Sequence, residues 1–235
     1  MTSTDDAKQT ARRRVWDLLE REGVAPPGVH GHIPDFVGKE DAAARLADLE
    51  VWQQARVIKC NPDRAQLPVR VRALQEGKLL YMAVPRLATP KPFYLLDPAI
   101  LEVPFETAAT STGAPEVAPT VGTDDMRPVD LVICGSVAIS RPNGVRLGKG
   151  AGYSDLEIAL LAEAGLVTEE TAIATTVHQS QLLDEDLPHD DHDFNVDYAV
   201  TPDEAVACAP DRQRPCGIIR ANLRPDQLDN IPVLR

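Results

Sequence analysis

The chain has 235 residues and a formal net charge of -12, from 24 Lys and Arg against 36 Asp and Glu. Hydrophobic residues make up 43% and aromatic residues 4%, so the composition excludes a disordered chain and leaves the core to Leu, Val, Ile and Ala. The acidic balance disfavours nucleic acid as a partner, and no run approaches the ~20 apolar residues that a membrane span requires.

The N-terminus is polar and has no signal-peptide core, so a cytoplasmic location is expected. Cys60, Cys134, Cys208 and Cys216 form no CxxC pair, which argues against a disulfide framework or a zinc site. Residues Asp6–Glu22 read as a helix with Val15, Trp16, Leu18 and Leu19 as its apolar stripe and Gly23 as its stop. A loop rich in Pro, Gly and His follows over 24–34. Asp41–Glu50 reads as a second helix capped by Asp41. Ala55–Lys59 is a short strand, Pro68–Glu76 a helix with Pro in its first turn, and Leu79–Val84 the next strand. Residues 105–127 are rich in Thr, Ala, Pro and Gly and read as a surface loop inside a single domain spanning 1–235. Val129–Cys134 is the clearest buried strand. Ser154–Ala164 is a helix ended by Gly165, and Ala172–Val177, Val196–Val200 and Gly217–Ala221 are further strands.

Strands alternating with helices predict an α/β fold: three layers, a mainly parallel sheet and helices on both faces, in the Rossmann-like manner. Ligands of such sheets bind at the carboxyl ends of the strands. A glycine-rich segment follows the Val129–Cys134 strand and leads into a helix: Gly144, Gly148, Gly150 and Gly152 surround Arg146 and Lys149. Glycines let backbone N–H groups approach an anion, the helix start adds unpaired donors, and the two cations add charge. The pattern suits phosphate, although neither Walker A nor dinucleotide-binding spacing is present; the plain alternative is a flexible turn with solvated cations. Ser154 and Glu157 fit a capping box. Asp155 either complements the helix dipole or ligates Mg²⁺ beside phosphates.

Residues 184–197 read DEDLPHDDHDFNVD. His189, Asp190 and Asp191 are expected to be a solvated acidic loop.

The segment Arg146–Asp155, RLGKGAGYSD, resembles the RLGxGxGYYD signature of the 5-formyltetrahydrofolate cyclo-ligase (methenyltetrahydrofolate synthetase) family. Leu187–Thr201, LPHDDHDFNVDYAVT, resembles its second signature, LPxxxHDxxVDxxxT. Lys8 and Arg12 match an N-terminal KxxxR pattern, and Val84-Pro85-Arg86 a strand-and-PR segment. The stretches KCNPDRAQLPVRVRAL and GKGAGYSDLEIALL look like the methenyltetrahydrofolate synthetase domain-containing branch.

The resemblance implies a cyclo-ligase/NagB-like fold and an ATP- and Mg²⁺-dependent conversion of 5-formyltetrahydrofolate to 5,10-methenyltetrahydrofolate, or of a related reduced folate. In that scheme ATP phosphorylates the formyl oxygen, N10 attacks the activated carbon and phosphate leaves. Lys8, Arg12, Arg146 and Lys149 would face ATP phosphates, with Gly148, Gly150, Ala151 and Gly152 wrapping them. Asp155 and Asp193 would hold Mg²⁺. Tyr153 would line the reaction centre, so that Arg146, Lys149 and Tyr153 carry the catalytic part.

Two departures stand out. The family's Tyr-Tyr-Asp-Arg is Tyr153-Ser154-Asp155-Leu156 here, and Gln66 lies near the place of an acidic pterin-binding residue. A second reading is therefore a ligase-like module that binds a nucleotide or RNA without turnover. A third is a sugar-phosphate enzyme on a related α/β fold.

Overall fold

The aliphatic runs become strands and the periodic runs become helices. The computed structural model describes residues 3–210 and 213–235. Helices α1 (Ser3–Glu22), α2 (Lys39–Ala47) and α3 (Glu50–Gln54) precede β1 (Val57–Cys60), α4 (Leu67–Gln75), β2 (Leu79–Ala83) and β3 (Phe93–Leu96). Next come α5 (Phe105–Ala108), α6 (Ala114–Val117), β4 (Thr120–Val121), β5 (Leu131–Cys134), β6 (Ala138–Ser140) and β7 (Arg146–Leu147). The chain continues with α7 (Tyr153–Glu163), β8 (Ala172–Thr176), β9 (Leu182–Leu183), β10 (Tyr198–Val200), β11 (Ala205–Ala207) and α8 (Pro225–Asn230).

An eight-stranded sheet has the order β11-β10-β8-β5-β1-β2-β3-β4. Strands β10, β8, β5, β1 and β2 are parallel, while β3, β4 and β11 run antiparallel at the edges. The mainly parallel α/β sheet expected from the sequence is therefore present, with antiparallel edges added.

Side chains alternate across the pleat. Ile58 and Cys60 join α4 residues Val69, Ala73 and Leu74 in one buried cluster. Val57 of the same strand joins Ile158, Ala159 and Leu161 of α7 in another. Helices thus cover both faces, and Lys59 falls on the α7 face. A smaller sheet, β7-β6-β9, carries Val145 and Leu147 against Val15, Trp16 and Leu19 of α1.

Several boundaries differ from the sequence reading. Residues 105–127 are not a bare surface loop: they hold α5, α6, β4 and a 3₁₀ turn, and Ala108, Ala109 and Ala114 are fully buried. The buried Arg70 guanidinium donates to the Ala109 carbonyl at 2.7 Å, which anchors the segment. Residues 217–221 form no strand; Arg220–Asn222 is a 3₁₀ turn, and β11 is the edge strand instead. Gly38, not Asp41, caps α2.

Strand β1 leads through α4 to β2 on one side, while β5 lies on its other side. The strand order reverses between β1 and β5, and a crevice opens there beyond the carboxyl ends. Asn61 follows β1 at this point and Gly135 follows β5.

Candidate functional site

The crevice is a cleft of about 440 Å³. Asn61, Pro62 and Asp63 line it after β1, and Gly135 after β5. Arg146, the loop 148–152, Tyr153, Ser154, Asp155 and Glu157 also line it. A Cβ on Gly135 would sit 2.9 Å from Asp63 Oδ2 and 3.0 Å from Gln66 Oε1, so a larger residue there would push these side chains aside.

Arg146 opens the first signature on β7 and is 3% exposed. Its Nη1 donates to the Gly135 carbonyl at 3.1 Å and its Nη2 to Asp155 Oδ2 at 2.7 Å, while its buried Nε has no partner among the described residues. Burial opposes the Arg146 charge. Asp155, Cys134 and Asp193 outweigh it, so the guanidinium is held above its ordinary value. Gly152, at φ +74, turns the chain into α7, and Asp155 lies in the first turn of that helix.

Asp155 joins the two signatures. Its Oδ1 accepts from the Phe194 N–H of the acidic segment at 3.3 Å. Lys8 makes ion pairs with Asp190 at 2.6 Å and Asp193 at 2.5 Å. Asp190, expected to be solvated, is thus engaged by a buried lysine. Arg12 Nε donates to the Gly148 carbonyl at 2.7 Å. Burial lowers the Arg12 pKa, opposed by Asp193 and reinforced by Arg146. Lys149 is 42% exposed and 3.4 Å from Asp63 Oδ1. One cleft therefore gathers Arg146, Gly148, Lys149, Gly150, Ala151, Gly152, Tyr153 and Asp155, while Lys8, Arg12 and Asp193 stand next to it without lining it.

The capping box does not form. Gly152 occupies the N-cap of α7 with no side-chain cap bond, and the buried Ser154 Oγ has no partner among the described residues. Glu157 turns inward to Lys59 and to Asn61 Nδ2, the latter at 3.1 Å. Burial raises the Glu157 pKa, against the pull of Lys59.

Residues missed from the sequence include Asn61, Asp63, Gly135, Arg86 and the Lys59–Glu157 pair. A lysine inside the apolar strand VIKC, followed at once by Asn-Pro-Asp, was the available signal. Arg86 lines the cleft at φ 62, next to Leu87 at φ 51. Two successive left-handed residues are costly. Leu87 is 1% exposed and packs with Leu156 and Ile231, which holds the turn in place. Gln66 is fully buried, and its amide donates to Thr176 O and Oγ1 at 3.2 Å, so it does not face the cleft.

Among the described residues no group of three or more His, Cys, Asp or Glu is arranged to hold a metal. One or two carboxylates suit Mg²⁺ that takes its other ligands from phosphate and water; of the two expected here, Asp155 lines the cleft paired with Arg146, and Asp193 lies beside the cleft paired with Lys8. No helix among the described residues is long and apolar enough to cross a membrane.

A model of the 5-formyltetrahydrofolate cyclo-ligase family matches residues 4–202. The chain belongs to this family. Methenyltetrahydrofolate synthase domain-containing proteins of Mus musculus and Homo sapiens are 39% and 36% identical to it, over 97% of this chain and 62% and 61% of theirs. The chain spans about three fifths of the length of those relatives. The NMR structure of Aquifex aeolicus 5,10-methenyltetrahydrofolate synthetase superposes with a TM-score of 0.54 at 19% identity, covering 90% of this chain and 96% of that one. That likeness supports the fold. Leu156, which stands where the family pattern has an arginine, does not line the cleft; it is 9% exposed and packs with Leu87 and Ile231.

Proposed function

We propose that this protein is a cytoplasmic cyclo-ligase that converts 5-formyltetrahydrofolate, or a related reduced folate, to its methenyl form with Mg·ATP. The observation that supports this most is Asp155, whose two oxygens meet Arg146 of the first signature and Phe194 N–H of the second. In this reading Arg146, Lys149 and the backbone of Gly148, Gly150, Ala151 and Gly152 bind and orient the phosphates. Lys8 and Arg12 brace that wall from outside. Asp155 and Asp193 hold Mg²⁺ together with phosphate oxygens, which neutralises charge during phosphoryl transfer. Tyr153 separates nucleotide from folate and excludes water.

Leu156 supports a second reading. Its side chain is apolar and packs with Leu87 and Ile231 outside the cleft, so the site lacks one cation of the family pattern. A nucleotide-binding module without turnover would tolerate that change. The two readings separate in one assay, the near-ultraviolet rise of the methenyl product on mixing protein, 5-formyltetrahydrofolate and Mg·ATP. An ATP-dependent rise that is lost in Asp155→Ala supports the enzyme. No rise from protein that binds Mg·ATP overturns it in favour of the module.

A further inference from the structure

Ser154 and Glu157 lie on one side of α7, three residues apart, and both line the cleft. The cap they would form in a plain helix start is absent. Glu157 is 3% exposed, and its two hydrogen bonds, from Lys59 Nζ and Asn61 Nδ2, both go to Oε2. Oε1 receives none among the described residues. Ser154 Oγ and Arg146 Nε are likewise buried and unpartnered there.

The fold gives no reason for an ionic pair at this place. Lys59 is fully buried in the centre of the sheet. A well-packed apolar pair of the same volume is commonly as stable or more so. The pair's polarity thus points outward, to whatever occupies the cleft. Lys59 neutralises Glu157, as Arg146 neutralises Asp155. A neutralised carboxylate with one open oxygen selects an uncharged N–H donor rather than a cation. The Ser154 hydroxyl and the Arg146 Nε–H offer donors for acceptors on the same ligand.

We infer that Glu157, Ser154 and Asn61 form a platform for a flat, uncharged nitrogen heterocycle with adjacent N–H donors and a carbonyl, the 2-amino-4-oxopyrimidine edge shared by pterins and guanine. Within the proposed function, on which this rests, the platform takes the head of the folate. Lys59 is the positioning residue that fixes the Glu157 carboxylate.

Calorimetric titration of the full chain with 6-methyltetrahydropterin, and separately with guanosine, tests this. The pterin is expected to bind, and Glu157→Gln to weaken it roughly ten-fold or more, the loss due to one hydrogen bond to a charged group. Because Glu157→Gln strands a buried lysine, the double variant Lys59→Met with Glu157→Leu removes both charges together. It is expected to unfold cooperatively on heating and to bind Mg·ATP, yet to lose the pterin. Unchanged pterin affinity in either variant overturns the platform. Unaltered turnover of 5-formyltetrahydrofolate by Glu157→Gln also overturns it, while leaving the cyclo-ligase reading intact. Guanosine bound in preference to the pterin, and lost in the same variants, supports the platform and defeats the folate reading.

Discussion

Lys8 on the first helix and Asp193 in the acidic segment, 185 residues apart, meet in a buried ion pair at 2.5 Å. The same ammonium also holds Asp190 at 2.6 Å. Removing it takes away the cation that two carboxylates share, and breaking a buried pair on one side costs about 3–5 kcal/mol. Lys8→Ala is expected to lower stability by an amount at or just below that range, since Asp190 is partly exposed. Urea unfolding of the variant beside the native protein measures it; a change under about 0.5 kcal/mol, typical of an exposed pair, would refute the structural role.

Lys149 is 42% exposed and its ion-pair partner, Asp63, is 3.4 Å away, so the side chain contributes little to folding. Lys149→Ala is expected to keep the native melting temperature and lose ten-fold or more in Mg·ATP affinity, roughly the value of one charge-assisted phosphate contact. Equal affinity in the variant and the native protein would remove Lys149 from the nucleotide site.

Leu156→Arg restores the residue usual in the family, yet it is not expected to restore a cation to the cleft. The position is buried against Leu87 and Ile231, where an unpaired charge is expensive. The variant should lose about 2–4 kcal/mol of stability, consistent with the larger single-residue effects. A melting temperature at or above the native value, with higher turnover, would show that the side chain can reach the phosphates.

His178 is buried, and its Nδ1 accepts from the Ser180 N–H at 3.2 Å. Burial lowers its pKa below the ordinary 6.5, although Glu22 and Asp203 pull the other way. The unfolded chain therefore takes up this proton first, and stability should fall as pH drops through about 6.5, until the folded group is protonated as well. His178→Asn is expected to flatten that part of the stability–pH curve. An identical slope in both proteins would assign the acid sensitivity elsewhere.

The parallel centre of the sheet was legible because β1, β2, β5 and β8 are aliphatic runs separated by helical periods. The glycine-rich wall of the cleft was legible because glycines, cations and a helix start fall within ten residues. The edges were not. Strands of two or three residues such as Thr120–Val121 and Ala205–Ala207 carry too few side chains for a period to show. Helices α5 and α6 are four residues each and set among Thr, Pro and Gly, so local composition pointed to a loop while tertiary burial of Ala108 and Ala114 decided the outcome. Ser154-x-x-Glu157 misled for a different reason. The same serine and glutamate can close a capping box or line a cleft, and here Glu157 turns to Lys59 and Asn61, partners that no local pattern reveals. The Lys8–Asp193 pair spans 185 residues, and no local pattern encodes such a contact.

The glycine loop is held from both sides by distant parts of the chain. Arg12 grips the carbonyl of Gly148, and Arg224 grips that of Ala151 at 3.1 Å. Synthesis proceeds from the N-terminus, and domains form as their residues emerge. On the ribosome, the central sheet can close once β8 and β10 have been made, but the loop keeps one free flank until Arg224 clears the exit. The glycine loop is therefore the last part of the cleft wall to be tied down, and a nascent chain stalled before that residue would carry a formed sheet beside a loop held by Arg12 but not yet by Arg224.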